Sequence, residues 1–233
     1  MSARAAPSLV VLDGPAGAGK STVARRLARR LGVPLLDTGA IYRTLALVAH
    51  ERGIAWDDEA GLVALADGLP IEFGALADDE GALQPVSCAG VDVTTRIRTP
   101  EIGQGASKVS ALPGVRAALL DIQRALGARG CVAEGRDMGT VVFPHAPFKF
   151  FVTADLSARA RRRQAELAAR GEAVPPLAEV ERDIAERDAR DSTRQAAPLR
   201  RADDAVLIDT SEMDIDEVVA TLLERLGLGA DAR

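Results

Sequence analysis

The chain has 233 residues, which is long for one minimal domain and short for two, so we expect a single core domain with an insertion. Hydrophobic residues make up 47% of the chain, which is enough for a substantial core. Its 34 acidic and 29 basic side chains give a net charge of −5, which argues against a general binder of nucleic acids or anionic membranes. No run of about 18 apolar residues occurs, and the apolar stretch in residues 1–12 is too short for a secretory signal. We therefore expect a cytoplasmic protein with no nucleic-acid or membrane partner.

Cysteine and histidine usage excludes several further classes. Cys88 and Cys131 lie far apart, with no CxxC or Cys/His grouping that would indicate a disulfide framework or a zinc site. His50 and His145 are the only histidines, so a multi-histidine metal centre is excluded and a Ser/His/Asp triad has little support.

A glycine-rich loop near the start of the chain predicts nucleotide binding. Residues 9–12 form an apolar run typical of a buried parallel strand, and residues 21–31 have apolar side chains at helical spacing. Between them lies a complete GxxxxGK[ST] pattern, which places phosphates at a helix N-terminus. An ordinary glycine-rich turn is the alternative, which the flanking strand and helix disfavour. The predicted ATP-binding residues are Gly14, Pro15, Ala16, Gly17, Ala18, Gly19, Lys20, Ser21 and Thr22.

Within this loop, two side chains have predicted roles. Lys20 is expected to reach the β- and γ-phosphates, and the Ser21 hydroxyl is expected to reach Mg²⁺.

Four more short apolar segments predict strands of the same sheet: residues 33–37, 131–134, 148–153 and 205–209. The carboxyl ends of parallel strands form the ligand crevice of an open α/β sheet. We therefore expect Thr38, residues 135–137 and Asp209 to lie near the glycine-rich loop. Helices predicted over residues 115–126 and 215–226 would cover the sheet.

Residues 60–112 interrupt this alternation of predicted strands and helices, because they are rich in glycine, proline and acidic residues. Short strand-like runs occur at residues 70–74, 82–87 and 91–95. We interpret the segment as an inserted small α+β subdomain, with residues 1–59 and 113–233 as the core domain. A long flexible loop is the alternative, although loops of this length are uncommon in compact domains.

Polar residues follow two of the predicted strands. Thr38 and Arg43 favour either an anion contact or a helix N-cap at Thr38 with a solvated Arg43, and these residues alone do not decide between the two. Arg136 suits bidentate phosphate binding, and Asp137 suits a sugar hydroxyl or a cytosine-like amino group. A turn with two surface charges is the alternative for that pair.

The charge-rich segment 182–194 predicts one functional helix face. Arg187, Asp191 and Arg194 stand at i, i+4 and i+7, so their side chains share a face, although a merely solvated helix has the same composition. Four arginines precede it on another predicted helix, with residues 171–176 as a hairpin tip. Two such arms predict a helical lid at about 157–194 that closes over a triphosphate. The four arginines are Arg159, Arg161, Arg162 and Arg163.

Four segments together resemble the bacterial cytidylate kinases, a family of nucleoside monophosphate kinases. These are GPAGAGKST, DTGAIYRTLAL, GRDMGTVVFP and ERDARDSTRQAAPL, and the resemblance extends through the insertion to nearly the whole chain. It implies an α/β fold of the P-loop NTPase type, with a parallel five-stranded sheet flanked by helices and residues 60–112 binding the nucleoside monophosphate. The implied reaction is transfer of the γ-phosphoryl group of ATP to CMP or dCMP, with Mg²⁺ as cofactor. We expect a monomer.

The resemblance also implies roles for single residues. The implied catalytic residues are Lys20, Arg136, Arg162 and Arg187. Those matching the acceptor's phosphate side are Thr38, Arg43, Arg136 and Arg187, those matching its ribose side are Asp137, Asp191 and Arg194, and those matching the cytosine are Ser107 and Arg116. The chain departs from the family pattern at two positions. Thr38 stands where some members have serine, and Glu134 stands where some have aspartate, so the hydroxyl and the carboxylate are kept.

Phosphate-binding loops also occur in proteins with other functions. A GTPase switch needs an asparagine in its guanine-recognition motif and a protein kinase needs one in its catalytic loop, but the chain contains no asparagine. A regulatory ATP-binding module has no need for converging arginines. The remaining alternative is a kinase for UMP, AMP or shikimate, and the sequence leaves open the preference between CMP and dCMP.

Overall fold

The computed structural model describes residues 9–77, 79 and 82–229. Its main sheet has five parallel strands in the order β2-β6-β1-β7-β8, which confirms the predicted sheet. The phosphate-binding loop follows the central strand, so neighbouring strands deliver their own carboxyl ends to both sides of it. The strands of this sheet are β1 (Leu9–Asp13), β2 (Leu35–Asp37), β6 (Cys131–Gly135), β7 (Phe148–Thr153) and β8 (Val206–Asp209).

Helices cover both faces of this sheet, and their ends follow local sequence signals. The first helix ends at Gly32, which adopts φ 65°, and Asp214 and Glu217 form a capping box at the start of the last. None of the described helices has the length and apolarity needed to cross a membrane. The helices are α1 (Lys20–Leu31), α2 (Thr38–Glu51), α3 (Glu59–Ala66), α4 (Pro100–Val109), α5 (Pro113–Gly127), α6 (Leu156–Ala169), α7 (Leu177–Thr193) and α8 (Ile215–Arg225).

The central strand β1 divides the core into two apolar layers. Val10 and Leu12 pack in the layer under α1 and α8, whereas Val11 packs in the layer under α2 and α5. Successive side chains of a strand point to opposite faces, so an uninterrupted apolar run is what a strand covered on both faces requires.

The segment between α3 and α5 contains a second, antiparallel sheet, so the alternative of a long flexible loop is wrong. Its strands are β3 (Ile71–Phe73), β4 (Val86–Cys88) and β5 (Val91–Asp92), in that order. A short 3₁₀ helix, Arg96–Arg98, and α4 follow. Ile97 and Val109 belong to the same apolar layer as α2, so this segment is packed onto the main sheet's helices.

Several local features differ from the sequence prediction. In the insertion, the strand-like runs at residues 82–87 and 91–95 correspond to the shorter strands Val86–Cys88 and Val91–Asp92. Strand β2 begins at Leu35 rather than at residue 33, because the Val33 N–H caps α1 by donating to the Ala28 carbonyl and Pro34 has no N–H for the ladder. A π-helical turn over Met138–Val142 follows β6, where no helix was predicted.

Candidate active site

A cavity of about 920 Å³ lies at the carboxyl ends of the main-sheet strands. Its wall contains residues 16–22 of the glycine-rich loop, but Gly14 and Pro15 do not line it. The structure therefore brings together most of the predicted site residues, but Asp209 does not line the cavity and its exposed carboxylate accepts hydrogen bonds from Ser211 instead. The other predicted site residues in the wall are Thr38, Arg43, Ser107, Arg116, Arg136, Asp137, Arg162, Arg187, Asp191 and Arg194.

Glycines shape the loop at its two ends. Gly14 adopts φ 148°, and an added Cβ would lie 1.9 Å from the Val152 carbonyl oxygen of β7. Gly19 adopts φ 83° at the N-terminus of α1, where none of the described side chains caps the free N–H groups. The start of α1 is thus left open to an anion, as a phosphate site requires.

Lys20 is buried at the base of the loop. Its ammonium donates a hydrogen bond to the Pro15 carbonyl oxygen at 2.6 Å, and only 5% of the residue is exposed. Burial, with the neighbouring Arg136 adding to it, lowers the pKa of Lys20 well below its usual value of 10.5, while the Glu134 carboxylate acts in the opposite direction.

Ser21 and Glu134 form an oxygen-rich corner beside Lys20. The Ser21 hydroxyl donates to Glu134 Oε2 at 2.9 Å, and Glu134 Oε1, although buried, has no hydrogen-bond partner among the described residues. Burial raises the pKa of Glu134, and the negative charge of the nearby Asp37 raises it further. A hydroxyl and a carboxylate oxygen at a phosphate site are ligands of the kind that Mg²⁺ and its bound waters prefer, so these residues fit the predicted cofactor.

Asp13, at the end of β1, was not predicted as a site residue. Its buried carboxylate accepts the N–H groups of Met138 at 2.8 Å and Gly139 at 2.7 Å, and burial raises its pKa to about 6. The position at a strand end next to the glycine-rich loop was the available signal. Asp13 fixes the segment after β6 against the loop, and so sets where Arg136 and Asp137 stand.

The structure around Thr38 contradicts one of the two interpretations that the sequence left open, the helix N-cap at Thr38. Asp37, not Thr38, caps α2 by accepting the Ala40 N–H at 2.9 Å, and its other oxygen pairs with Arg43 at 2.6 Å. Thr38 instead donates to the Glu134 carbonyl at 2.7 Å. The N-cap interpretation with a solvated Arg43 is therefore wrong, because Arg43 is ion-paired in the wall of the cavity.

The predicted face of α7 also lies in this wall. Arg136 Nε donates to Asp191 Oδ2 at 3.0 Å, and Arg194 NH1 lies 3.8 Å from Asp191 Oδ1. Burial and the adjacent Arg136 lower the pKa of Arg187 to about 10, which leaves it a cation at neutral pH. Asp191 and Arg194 are buried, so this face is not a solvated one.

A buried ion pair closes the far end of the cavity. Arg116 and Asp137 are paired, and their residues are 8% and 3% exposed. The Arg116 guanidinium lies 5.4 Å from the centre of the Tyr42 ring, a cation–π distance that fixes its plane. Ser107 is nearby in the wall and accepts a hydrogen bond from Arg190 at 2.5 Å.

The arginines of α6 point in different directions. Arg162 donates to Thr210 Oγ1 at 3.0 Å and to the Met213 carbonyl at 3.3 Å, which ties it to the loop after β8. Arg159 points to the glycine-rich loop and contacts the Ala16 carbonyl at 3.0 Å. Arg161 is exposed, and Arg163 pairs with Glu166. Of these four, Arg162 and Arg163 line the cavity.

Comparison with known proteins agrees with the geometry of the site. The family model described as cytidylate kinase matches residues 10–227. The cytidylate kinase of Pseudomonas paraeruginosa is 52% identical over 220 residues, which cover 94% of this chain and 95% of that protein. The cytidylate kinase of Chromobacterium violaceum is 50% identical over 217 residues, which cover 93% of this chain and 94% of that protein.

A solved structure extends the comparison of folds. The crystal structure of an uncharacterised protein from Eubacterium ventriosum superposes with a TM-score of 0.50 at 12% identity, covering 94% of this chain and 98% of that chain. At this identity the likeness concerns the fold alone. The family match over most of the chain confirms the family predicted from the motifs: the chain belongs to the cytidylate kinase family.

Proposed function

We propose that this chain transfers the γ-phosphoryl group of ATP to CMP or dCMP, giving ADP and CDP or dCDP. The observation that carries the proposal is a single cavity that joins the glycine-rich loop at one end to the buried Arg116–Asp137 pair at the other. Three arginines, Arg43, Arg136 and Arg187, line it as well, where the phosphates of two nucleotides would meet. Membership in the cytidylate kinase family supports the same reaction.

The donor nucleotide is assigned to the glycine-rich loop. Its backbone N–H groups and Lys20 would hold the β- and γ-phosphates, and Met213 and Ile215 provide apolar wall for the adenine. Ser21 would hold Mg²⁺, with Glu134 accepting hydrogen bonds from the ion's waters. When bound, this ion supplies positive charge to the phosphate oxygens.

The acceptor needs no strong general base. An oxygen of its α-phosphate, already anionic, attacks the γ-phosphorus in line, and the bond from that phosphorus to the β-phosphate oxygen breaks as ADP leaves. Catalysis then depends on position and charge. Lys20, Arg136 and Arg187 are placed to stabilise the charge on the transferred group, because all three line the same cavity, Lys20 as a buried cation and the two arginines as half-buried ones.

The Arg116–Asp137 pair matches the edge of cytosine. Cytosine presents an amino donor beside a ring-nitrogen acceptor, and the pair presents a carboxylate acceptor beside a guanidinium donor. Uracil has a carbonyl and an N–H at the same places, so both contacts would be reversed. Ser107 and Asp191 would contact the base and the ribose.

We also propose separate roles for two segments of the chain. Residues 60–112 would bind the acceptor, and the hairpin of α6 and α7, within about 157–194, would act as the lid. A lid that is completed only by both substrates would limit transfer to water. The cytoplasmic location and the monomeric state stay predictions.

The experiment is a coupled assay of ADP release from ATP and Mg²⁺, with CMP, dCMP, UMP, AMP and shikimate offered in turn. We expect fast turnover with CMP and dCMP and slow turnover with AMP and shikimate. Preference for another acceptor would overturn the proposal and the roles of Arg116 and Ser107. The same assay without acceptor tests the lid, since ATP hydrolysis as fast as the kinase reaction would contradict gating.

A further inference from the structure

Two side chains outside the cavity join the α6–α7 hairpin to the glycine-rich loop. Asp188 Oδ1 accepts the Ala16 N–H at 3.1 Å, and Asp188 Oδ2 pairs with the Arg159 guanidinium. The same guanidinium donates to the Ala16 carbonyl at 3.0 Å and to the Ala154 carbonyl at 2.9 Å. Both backbone groups of Ala16 are therefore held by the hairpin, in an arrangement that we call the Ala16 tie.

Packing beside the tie is close. A Cβ added at Gly17 would lie 3.2 Å from the Arg159 Cβ and 3.6 Å from the Ile184 Cδ1. Gly17 adopts φ 74°, so the loop presents bare backbone to both helices of the hairpin. Contact at this distance leaves little room for the loop and this end of the hairpin to move independently, so closure of the proposed lid would involve the opposite end, around residues 171–176.

The tie has a direct bearing on Arg187, the residue before Asp188. Adjacent residues of a helix point about 100° apart, so Asp188 can hold the loop while Arg187 faces the cavity. Lys20 stands on the loop that Asp188 holds. The Ala16 tie thus connects the loop that carries Lys20 with the helix that carries Arg187, the two cations proposed to contact the transferred phosphoryl group.

We propose that Arg159 and Asp188 are positioning residues, which keep Arg187 in register with the glycine-rich loop during phosphoryl transfer. The inference rests on the phosphoryl-transfer function proposed above. Neither side chain is among the described residues that line the cavity, so neither is expected to touch substrate. Their side chains are only 10% and 19% exposed, so loss of one leaves the other charge poorly compensated.

The test compares kcat and KM for the variants Asp188→Ala and Arg159→Ala with those of the unaltered protein. Misplacing reactive groups by about 1 Å costs up to roughly a hundredfold in rate, so we expect kcat to fall about 10- to 100-fold while KM for the acceptor changes less. The double variant should be no slower than the slower single variant, because either substitution breaks the same tie. Asp188→Asn, which still accepts the Ala16 N–H, should retain more activity than Asp188→Ala.

Matched controls separate positioning from general damage. Glu179→Gln removes one acid from α7, and Arg225→Ala removes one exposed arginine from α8, both at positions away from the cavity. Neither should change kcat. The thermal midpoint and the folded fraction are measured for every variant, and kcat is expressed per folded molecule, since a purely structural role would lower the midpoint and leave this kcat unaltered.

A folded Asp188→Ala variant with unaltered kcat would overturn the proposal, as would strictly additive losses in the double variant. Where the alanine variants do not fold, Asp188→Asn and Arg159→Lys decide, and full kcat in both overturns it equally. The acceptor in all assays is whichever of CMP, dCMP and UMP the unaltered protein phosphorylates fastest. Failure of CMP as acceptor would then refute the proposed function alone and leave the tie testable.

Discussion

The Lys20 ammonium lies 2.6 Å from the Pro15 carbonyl oxygen of its own loop. This contact holds the cation at the base of the cavity before any phosphate is present, and burial keeps water from competing for it.

Lys20→Met should remove the charge and keep most of the apolar stem. Loss of one such donor commonly costs about 3 to 4 kcal/mol in the transition state, so we expect kcat to fall at least about a hundredfold. Steady-state kinetics with CMP provide the measurement, and a urea titration provides the control for folding. Near-normal kcat in the folded variant would remove Lys20 from the catalytic residues.

The lowered pKa of Lys20 predicts an early alkaline limb. In the free protein the ammonium loses its proton below the usual 10.5, so kcat/KM for ATP should decline as pH rises through that lower value. Bound phosphate favours the ammonium, and the limb in kcat should therefore lie at higher pH. Lys20→Arg is the matched variant, because arginine stays charged and should abolish this limb at reduced activity. An identical limb in Lys20→Arg would assign it to another group.

Asp137→Asn tests the reading of the base. An asparagine can donate to the carbonyl of uracil, whereas the carboxylate can only accept. We expect kcat/KM for CMP to fall roughly 10- to 100-fold and the ratio of CMP to UMP activity to fall with it. Asp121→Asn, at an exposed position of α5, is the matched control and should leave both values unaltered. Equal losses for CMP and UMP would show that Asp137 does not discriminate between the bases.

Arg162 has two possible modes of action, which a pair of variants separates. If it contacts the phosphates, Arg162→Ala should lower kcat about a hundredfold. Thr210→Val removes one of its contacts to the loop after β8 and keeps the arginine, so its loss should be under about tenfold. Equal losses in the two variants would mean that Arg162 acts by holding that loop.

Gly14→Ala should destabilise the fold. Its Cβ would overlap the Val152 carbonyl, whose oxygen lies 1.9 Å away, so β1 and β7 would have to separate. We expect the free energy of unfolding, measured by urea titration, to fall by about 3 kcal/mol or more. Gly53→Ala is the control, since Gly53 also has a positive φ, 67°, but open space around it. Its cost should be only the backbone strain of about 1–2 kcal/mol, and equal costs would contradict the steric argument.

The sheet and the loop were predictable because their signals are local. Apolar runs mark the five strands, and the spacing of Gly14, Gly19 and Lys20 marks the turn between β1 and α1. The shared face of Arg187 and Asp191 followed from helical periodicity, whereas Arg194 lies just beyond the end of α7 as its extended C-cap residue. Each of these signals lies within a few residues, where backbone preferences dominate.

Contacts between distant segments were not predictable in this way. Asp188 meets Ala16 across 172 positions, and nothing in either segment identifies the other. Ser107 was reached only through the resemblance, because a single serine in a short helix has no distinguishing pattern. The capping of α2 by Asp37 rather than Thr38 is a local contact, but aspartate and threonine both favour an N-cap, so the residue type does not decide between them.

The pairing of Arg43 with Asp37 and of Arg136 with Asp191 bears on how quickly the site empties. Each guanidinium already faces a carboxylate, so a nucleotide's phosphate gains less attraction than it would from an unbalanced cation. A diphosphate product carries more negative charge than the monophosphate it came from, and bare cations would retain it. The neighbouring carboxylates weaken the attraction between the arginines and the product's phosphates, which favours release of the product. The same carboxylates also make the ground-state binding of the substrate weaker.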